Sequence, residues 1–360
     1  MAWLTGWGRR KSHNLNGQAG AGTNYQVGIK VYYGAGADGT EVVDGNTMGK
    51  IYCNGHCKND FGDVRFTDDD GSSELAYWLQ EKVDGSHAIF WVKVTDDLTN
   101  NQLIYVYYGN AGATTTSDGI STFIRWDDFD LGYIVGDVPK PARGWVVNQG
   151  GDSDYVKIVQ DPDDPSNLVC EINNATQAFP YPTIQNDFSL TAGVAVHYRM
   201  RSDSPAGGNA QTNLREGANI RISATWGGSA TTFRIQYYKG VYLDYVPVCL
   251  VSDATWYTLE FRGRAAYHHI VKAGTDHAGD LRSAIVAGLD AWSQGLNQGN
   301  KVTNWFIDRF FIRKFVIEVG LHGAWGSEET KVHAGASVSA TMAAMRVTLI
   351  LPRIPTLVRA

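Results

Sequence analysis

The sequence predicts an all-β protein: two β-sandwich or jelly-roll domains in tandem, followed by a short C-terminal tail. Three observations lead to that class. Apolar and polar residues alternate along many short runs, the period of a half-buried strand. Glycine fills 40 of the 360 positions and aromatic residues make up 12%, a composition that suits turn-rich β structure. Helical periodicity is scarce and lacks clear caps. Hydrophobic residues reach 43%, which is enough for real cores and too much for a disordered tail.

Along the chain, residues 25–33, 87–94 and 102–109 read as strands bounded by Gly, Asp or Asn turns. "DVRFT" reads as a further strand entering a hairpin turn at Asp68-Asp69-Asp70-Gly71, where Asp-Gly supplies positive φ. A Gly/Thr/Ser-rich connector follows at 109–122, and "FIRWDDFDLG" opens a new unit. Strand patterns resume at 155–160, 167–172, 193–201, 219–226, 232–238, 256–264 and 305–315. Helices are expected only at 278–294 and in "TKVHAGASVSATMAAMRV". The expected domains are 1–125 and 126–320. "GLHGAWGSEET" is expected to be a linker opening the tail at 321–360.

The net charge of −6 argues against nucleic acid, which calls for a basic surface. No run approaches eighteen apolar residues, so no transmembrane helix and no membrane insertion are expected. In "MAWLTGWGRRKSHNL" the basic residues follow the apolar ones and no apolar h-region comes after, so no signal peptide is expected.

Cys170 and Cys249 lie in apolar strand-like runs and are expected to be buried free thiols, with a cross-strand disulfide as the alternative. Cys53 and Cys57 flank His56. Free thiols in a turn are expected there. A local disulfide is one alternative, and zinc completed by His13, His87 or an acid is another. The Asp60-Phe61-Gly62 triplet lacks every other part of a kinase signature.

The stretch from Asp60 to Gly71, Tyr77-Trp78, the run from Trp91 to Val94 and that from Tyr105 to Asn110 stand in an order that resembles the DUF2341 family, over about residues 3–125. The region from "FIRWDDFD" to "WFIDRFFIRKF" resembles a concanavalin A-like or laminin-G-like jelly roll. The resemblance implies a surface or extracellular setting, with some relatives among phage structural proteins, and assigns no chemistry.

No paired-carboxylate strand, nucleophile elbow, His-Glu-x-x-His or P-loop is present, so no catalysis is expected. Asp127, Asp128 and Asp130 open the second domain and Asp308 lies in its last strand. They are the candidate ligands of a structural Ca2+. "TWGGSATTFRIQYYKGVYLDY" packs aromatics around a hairpin. There Trp226, Arg234, Gln236, Tyr238 and Tyr242 are the candidate glycan-binding residues, since sugars stack on exposed rings beside polar groups.

The expected role is a non-enzymatic structural or adhesive surface protein: a virion decoration, fibre or tail component, located on a virion or other extracellular surface. The alternative is a glycan-binding lectin module. Expected partners are further copies of the chain in a homo-oligomer, or other proteins of the same assembly.

Overall fold

A computed structural model describes residues 2–331 apart from 152, 176–180, 189–192, 204–208, 217–218, 227–231, 238–245, 251, 253, 265–266, 273–274, 278–290, 299–302 and 317. The first unit contains β1 (Arg9–Leu15), β2 (Tyr25–Tyr32), β3 (Gly39–Val43), β4 (Asn46–Tyr52), β5 (Arg65–Thr67), β6 (Tyr77–Val83), β7 (His87–Val94) and β8 (Gln102–Tyr108). The short helix α1 (Gly119–Thr122) closes it.

The second unit runs through β9 (Arg125–Asp127), a 3-10 turn (Pro141–Arg143), β10 (Trp145–Asn148), β11 (Tyr155–Gln160), β12 (Leu168–Asn174), β13 (Thr183–Asp187), β14 (Gly193–Ser202) and β15 (Asn209–Glu216). It continues with β16 (Asn219–Trp226), β17 (Thr232–Tyr237), β18 (Val246–Leu250), β19 (Tyr257–Arg264), β20 (Tyr267–Lys272), β21 (Thr275–His277), β22 (Ala291–Gln298) and β23 (Thr303–Phe315). The chain then returns to the first unit as β24 (His322–Trp325) and β25 (Glu329–Thr330).

Each unit is a pair of sheets around its own core, so the all-β architecture expected from alternation is the one observed. In the first, the order β24-β1-β8-β5 faces β3-β4-β2-β7-β6, and Val27, Ile29, Phe66, Phe90 and Val106 fill the space between them. In the second, β10-β13-β22-β15-β16-β17-β18 faces β11-β12-β23-β14-β19-β20-β21, around Trp145, Ile172, Tyr198, Trp292 and Phe310. Pairing is antiparallel except between β2 and β4.

Two expectations are corrected. Residues 321–331 are not a linker: β24 and β25 pair with β1, and Leu321 enters the first core. Trp325 stacks on His13 at 3.7 Å, its Nε1 donates to Gly39 O (3.0 Å), and Arg9 pairs with Glu328. Strands of four and two residues are too short to show a period, and their partner lies some three hundred residues earlier in the chain. The helix expected at 278–294 is contradicted at its end, where Ala291–Gln298 is a strand that sends Trp292 into the core. The rest of that stretch, and the second expected helix beyond Lys331, lie outside the described residues.

The two units dock along one continuous interface. Met48, Trp78, Ile89 and Trp91 from the first meet Phe123, Trp126 and Phe311, with Phe123 stacked on Phe311 at 4.3 Å. Beside them Arg313 and Arg262 both donate to Asn46 Oδ1 (2.6 and 2.9 Å) and both reach Glu260 Oε1 (3.1 and 2.6 Å). Tyr25 donates to Glu318 (2.6 Å). Here the outward face of β23, which carries Phe311 and Arg313, is covered by the other domain.

Candidate functional site

A cleft opens where the connector enters the second unit. Its cavity of about 260 Å3 is lined by Ile120, Ile124, Arg125, Trp126, Pro141, Ala142, Arg143 and Gly144. α1 is started by Asp118, whose Oδ1 accepts from Ser121 N (3.1 Å). Gly119 follows because a Cβ there would lie 2.2 Å from the Trp126 ring. β9 pairs with β23 through Arg125↔Ile312, Trp126↔Phe311 and Asp127↔Phe310. Alternation therefore sends Trp126 to the domain junction and Asp127 to the core side.

Asp127 organises the wall of the cleft. It accepts from Phe129 N (3.0 Å), Tyr133 OH (2.8 Å) and Trp145 Nε1 (2.7 Å) and faces Arg143 Nη1 at 3.6 Å. Burial still lifts its carboxyl above the ordinary range, against the pull of those donors. Burial also raises the Tyr133 phenol, and Asp127 adds to the effect. Arg143 donates through Nη2 to Leu131 O (2.9 Å), and its guanidinium lies 5.6 Å from the Trp126 ring centre. Arg125 donates to two backbone carbonyls, Asp187 O (3.1 Å) and Ile124 O (3.0 Å). Gly144 has φ +87°, and a Cβ there would lie 2.7 Å from Arg125 Nε, so glycine is required on both counts. Among the described residues Arg125 has no carboxylate partner, and Trp126 Nε1 has no acceptor.

The aspartates expected to bind Ca2+ do not converge. Asp127 is committed as above. Asp128 Oδ1 accepts from Asp130 N (3.2 Å) and Leu131 N (3.1 Å), and Asp130 Oδ1 from Leu168 N (2.8 Å). Asp308 is 1% exposed and takes Arg199 Nη1 at 2.8 Å and Arg309 N at 2.7 Å. Burial pushes its carboxyl up to about 6. A break in register, with Arg309 at φ +49°, sets Asp308 across from Arg199, so the acid is spent on a cation. Among the described residues no group of three or more His, Cys, Asp or Glu is placed to hold a metal.

Of the candidate glycan residues, Trp226 lies in β16, and Arg234 and Gln236 in β17. The backbone pairs Trp226↔Phe233, Thr225↔Arg234 and Ser223↔Gln236. Tyr238 and Tyr242 lie outside the described residues. Cys53, Cys57 and Cys170 are buried free thiols, as expected. Burial raises the Cys53 thiol well above its ordinary value, and the neighbouring Cys57 adds to this. His13 bonds His322 (2.9 Å), His87 bonds Ser86 (3.0 Å) and His56 bonds Glu328 (3.1 Å), and no zinc set forms among the described residues.

The stretch from Asp60 to Gly71 is scaffold. Asp63 accepts from Lys58 N (2.8 Å), Gly109 N (2.7 Å) and Asn110 N (3.1 Å), tying the motif to the Tyr-x-Tyr-Tyr-Gly-Asn strand. Gly71, at φ +75°, closes the turn onto Asp68 O (3.0 Å). The sequence reading missed Arg125 and Arg143. The signal in reach was Pro141-Ala142-Arg143-Gly144, a proline-to-glycine turn that presents an arginine.

A family model described as "Domain of unknown function (DUF2341)" matches residues 60–140. That match starts later than the expected 3–125, crosses β9 and stops at the edge of the cleft. No curated protein matches the chain. Among solved structures, a sialidase is similar over 61% of this chain at 9% identity and a TM-score of 0.42, and the chain spans only 20% of that protein. A β-1,3-glucanase from Mycobacterium marinum is similar over 53% of this chain and 98% of its own, at 15% identity and a TM-score of 0.38. A structure of botulinum neurotoxin type C, whose cell entry depends on two ganglioside molecules, is similar over 54% of this chain and 49% of its own, at 9% identity and a TM-score of 0.38.

Proposed function

We propose that this is a non-enzymatic surface protein that binds one sugar-sized unit of a glycan in the junction cleft. The observation that carries this is the cleft itself. Arg125, Trp126 and Arg143 line one cavity of about 260 Å3, whose other walls include Ile120, Ile124, Pro141 and Ala142. That volume falls just below the roughly 300–1,000 Å3 of sites for larger small molecules. Donors over an apolar, partly aromatic floor suit a ligand with many acceptor oxygens and apolar ring faces. The lining holds no carboxylate and no nucleophile, and so binding without chemistry is the reading it supports.

The test is a glycan array on the full chain, followed by titration of the hits. Ala142 lines the cleft and is exposed, so Ala142→Trp should fill the cavity without disturbing the core. Hits are expected to lose at least ten-fold in affinity in this variant at an unchanged melting temperature. Equal binding by Ala142→Trp, or no glycan bound at all, would sink the proposal.

One observation favours self-association as a second role. Leu131, Ile134, Val135 and Val138 stand between 42% and 71% exposed in a single loop, and clustered exposed apolar residues mark contact surfaces. Light scattering is expected to show an oligomer that Ile134→Asp dissociates, and a monomer at all concentrations would remove this role. The virion role gains no further support from the structure.

A further inference from the structure

Building on the proposed glycan cleft, we infer that its ligand is an acidic sugar, whose carboxylate is bound by Arg125. Three features place an anion there. First, Arg125 is fixed without being neutralised. Its Nε and Nη1 donate to the backbone carbonyls of Asp187 and Ile124, which set the guanidinium plane and leave its charge intact. The hydrogens of Nη2 and the second hydrogen of Nη1 form a planar fork, and a carboxylate meets such a fork with two parallel bonds.

Second, the nearby acids are engaged elsewhere. Asp127 serves Tyr133, Trp145 and Arg143, Asp128 caps its own turn, and Asp187 Oδ1 accepts from Gln185 (2.5 Å). Arg143 faces Asp127, and among the described residues none of these three acids forms an ion pair with Arg125. Third, the backbone is shaped for this arginine: Gly144 combines φ +87° with a position where any Cβ would lie 2.7 Å from Arg125 Nε. Trp126, 6% exposed, lines the same cavity and adds an aromatic wall beside Arg125.

The experiment is calorimetric titration of the full chain with two matched probe pairs, 3′-sialyllactose against lactose and trigalacturonate against its methyl ester, plus a sulfated oligosaccharide. One acidic probe is expected to bind at least ten-fold more tightly than its neutral partner. Arg125→Gln should erase that ratio, weakening the acidic probe at least ten-fold more than its neutral partner. Gly144→Ala, which keeps the charge but displaces it, should reduce the ratio in the same way, and circular dichroism checks that both variants are folded. Equal affinity within both pairs would overturn the inference, as would an acidic preference that survives Arg125→Gln. A sulfated probe matching the carboxylate would also overturn it, since the fork would then recognise anions at large. If only neutral array glycans bind, and Ala142→Trp abolishes them, the carboxylate inference falls and the cleft stands. If no glycan binds, both fall.

Discussion

Replacing Glu260 by alanine is expected to cost about 3–5 kcal/mol of folding stability, the range for removing one partner of a buried ion pair. Glu260 is 1% exposed, in β19 at the domain junction. Burial alone would raise its carboxyl, but Arg313 and Arg262 outweigh it and hold the group well below the carboxylate range. Without Glu260, two guanidinium groups would remain buried with Asn46 as their shared acceptor. Arg313 would keep Glu318 at 3.8 Å, and Arg262 would have no carboxylate partner among the described residues. Because the network joins the two units, the variant should also separate a single unfolding transition into two. Urea unfolding followed by tryptophan fluorescence gives both readouts. A loss under about 1 kcal/mol would mean that water reaches the arginines and that the junction does not depend on them.

Acidification from pH 7 to pH 5 is expected to remove about 4 kcal/mol through one buried histidine pair, about 2 kcal/mol per ring. His13 Nε2 and His322 Nδ1 lie 2.9 Å apart, with Trp325 stacked on His13. Gly49 sits so close that a Cβ would lie 2.9 Å from His322 Nδ1. A single hydrogen bond between two rings needs one donor and one acceptor, which neutral imidazoles supply. Burial lowers both rings, His13 well below the ordinary 6.5 with His322 adding to it, and His322 to about 4. The nearest cation on the same strand, Lys11, is held by Asp38 and Tyr52 O.

The sign follows from the protons bound. Between about pH 6.5 and 4 the unfolded chain takes up protons that the folded one refuses, so stability falls as pH falls. Asp308, raised to about 6, works in the opposite direction over that range. The histidine share is therefore read as a difference between proteins: His322→Phe should lose about half as much through the pair as the parent does. Identical pH profiles would exclude the pair as the cause.

Much of the fold was legible because alternation is local. Residues 87–94, 155–160 and 219–226 form strands with the expected limits, since a face buried against any partner imposes period two on its own sequence. The Asp60–Gly71 stretch was legible as scaffold for the same reason, its turn chemistry being contained within a few residues. The site was less legible. Asp127 was singled out as a calcium ligand, but its partners were not legible, because Tyr133, Trp145 and Arg143 converge on it only after β9 joins β23.

By itself, then, the amino-acid sequence determined the β class, most strand positions and the turns, all of which depend on neighbours in the chain. Tertiary structure alone decided the return of residues 321–331 to β1, the covering of Glu260 and Arg313 by the other domain, the His13–His322 pair and the cleft at Arg125. The physical reason is range. Each of these is a contact between segments far apart in sequence, and polar residues such as Glu260 and Arg262 carry the pattern of a solvent-facing strand until a second domain packs over them.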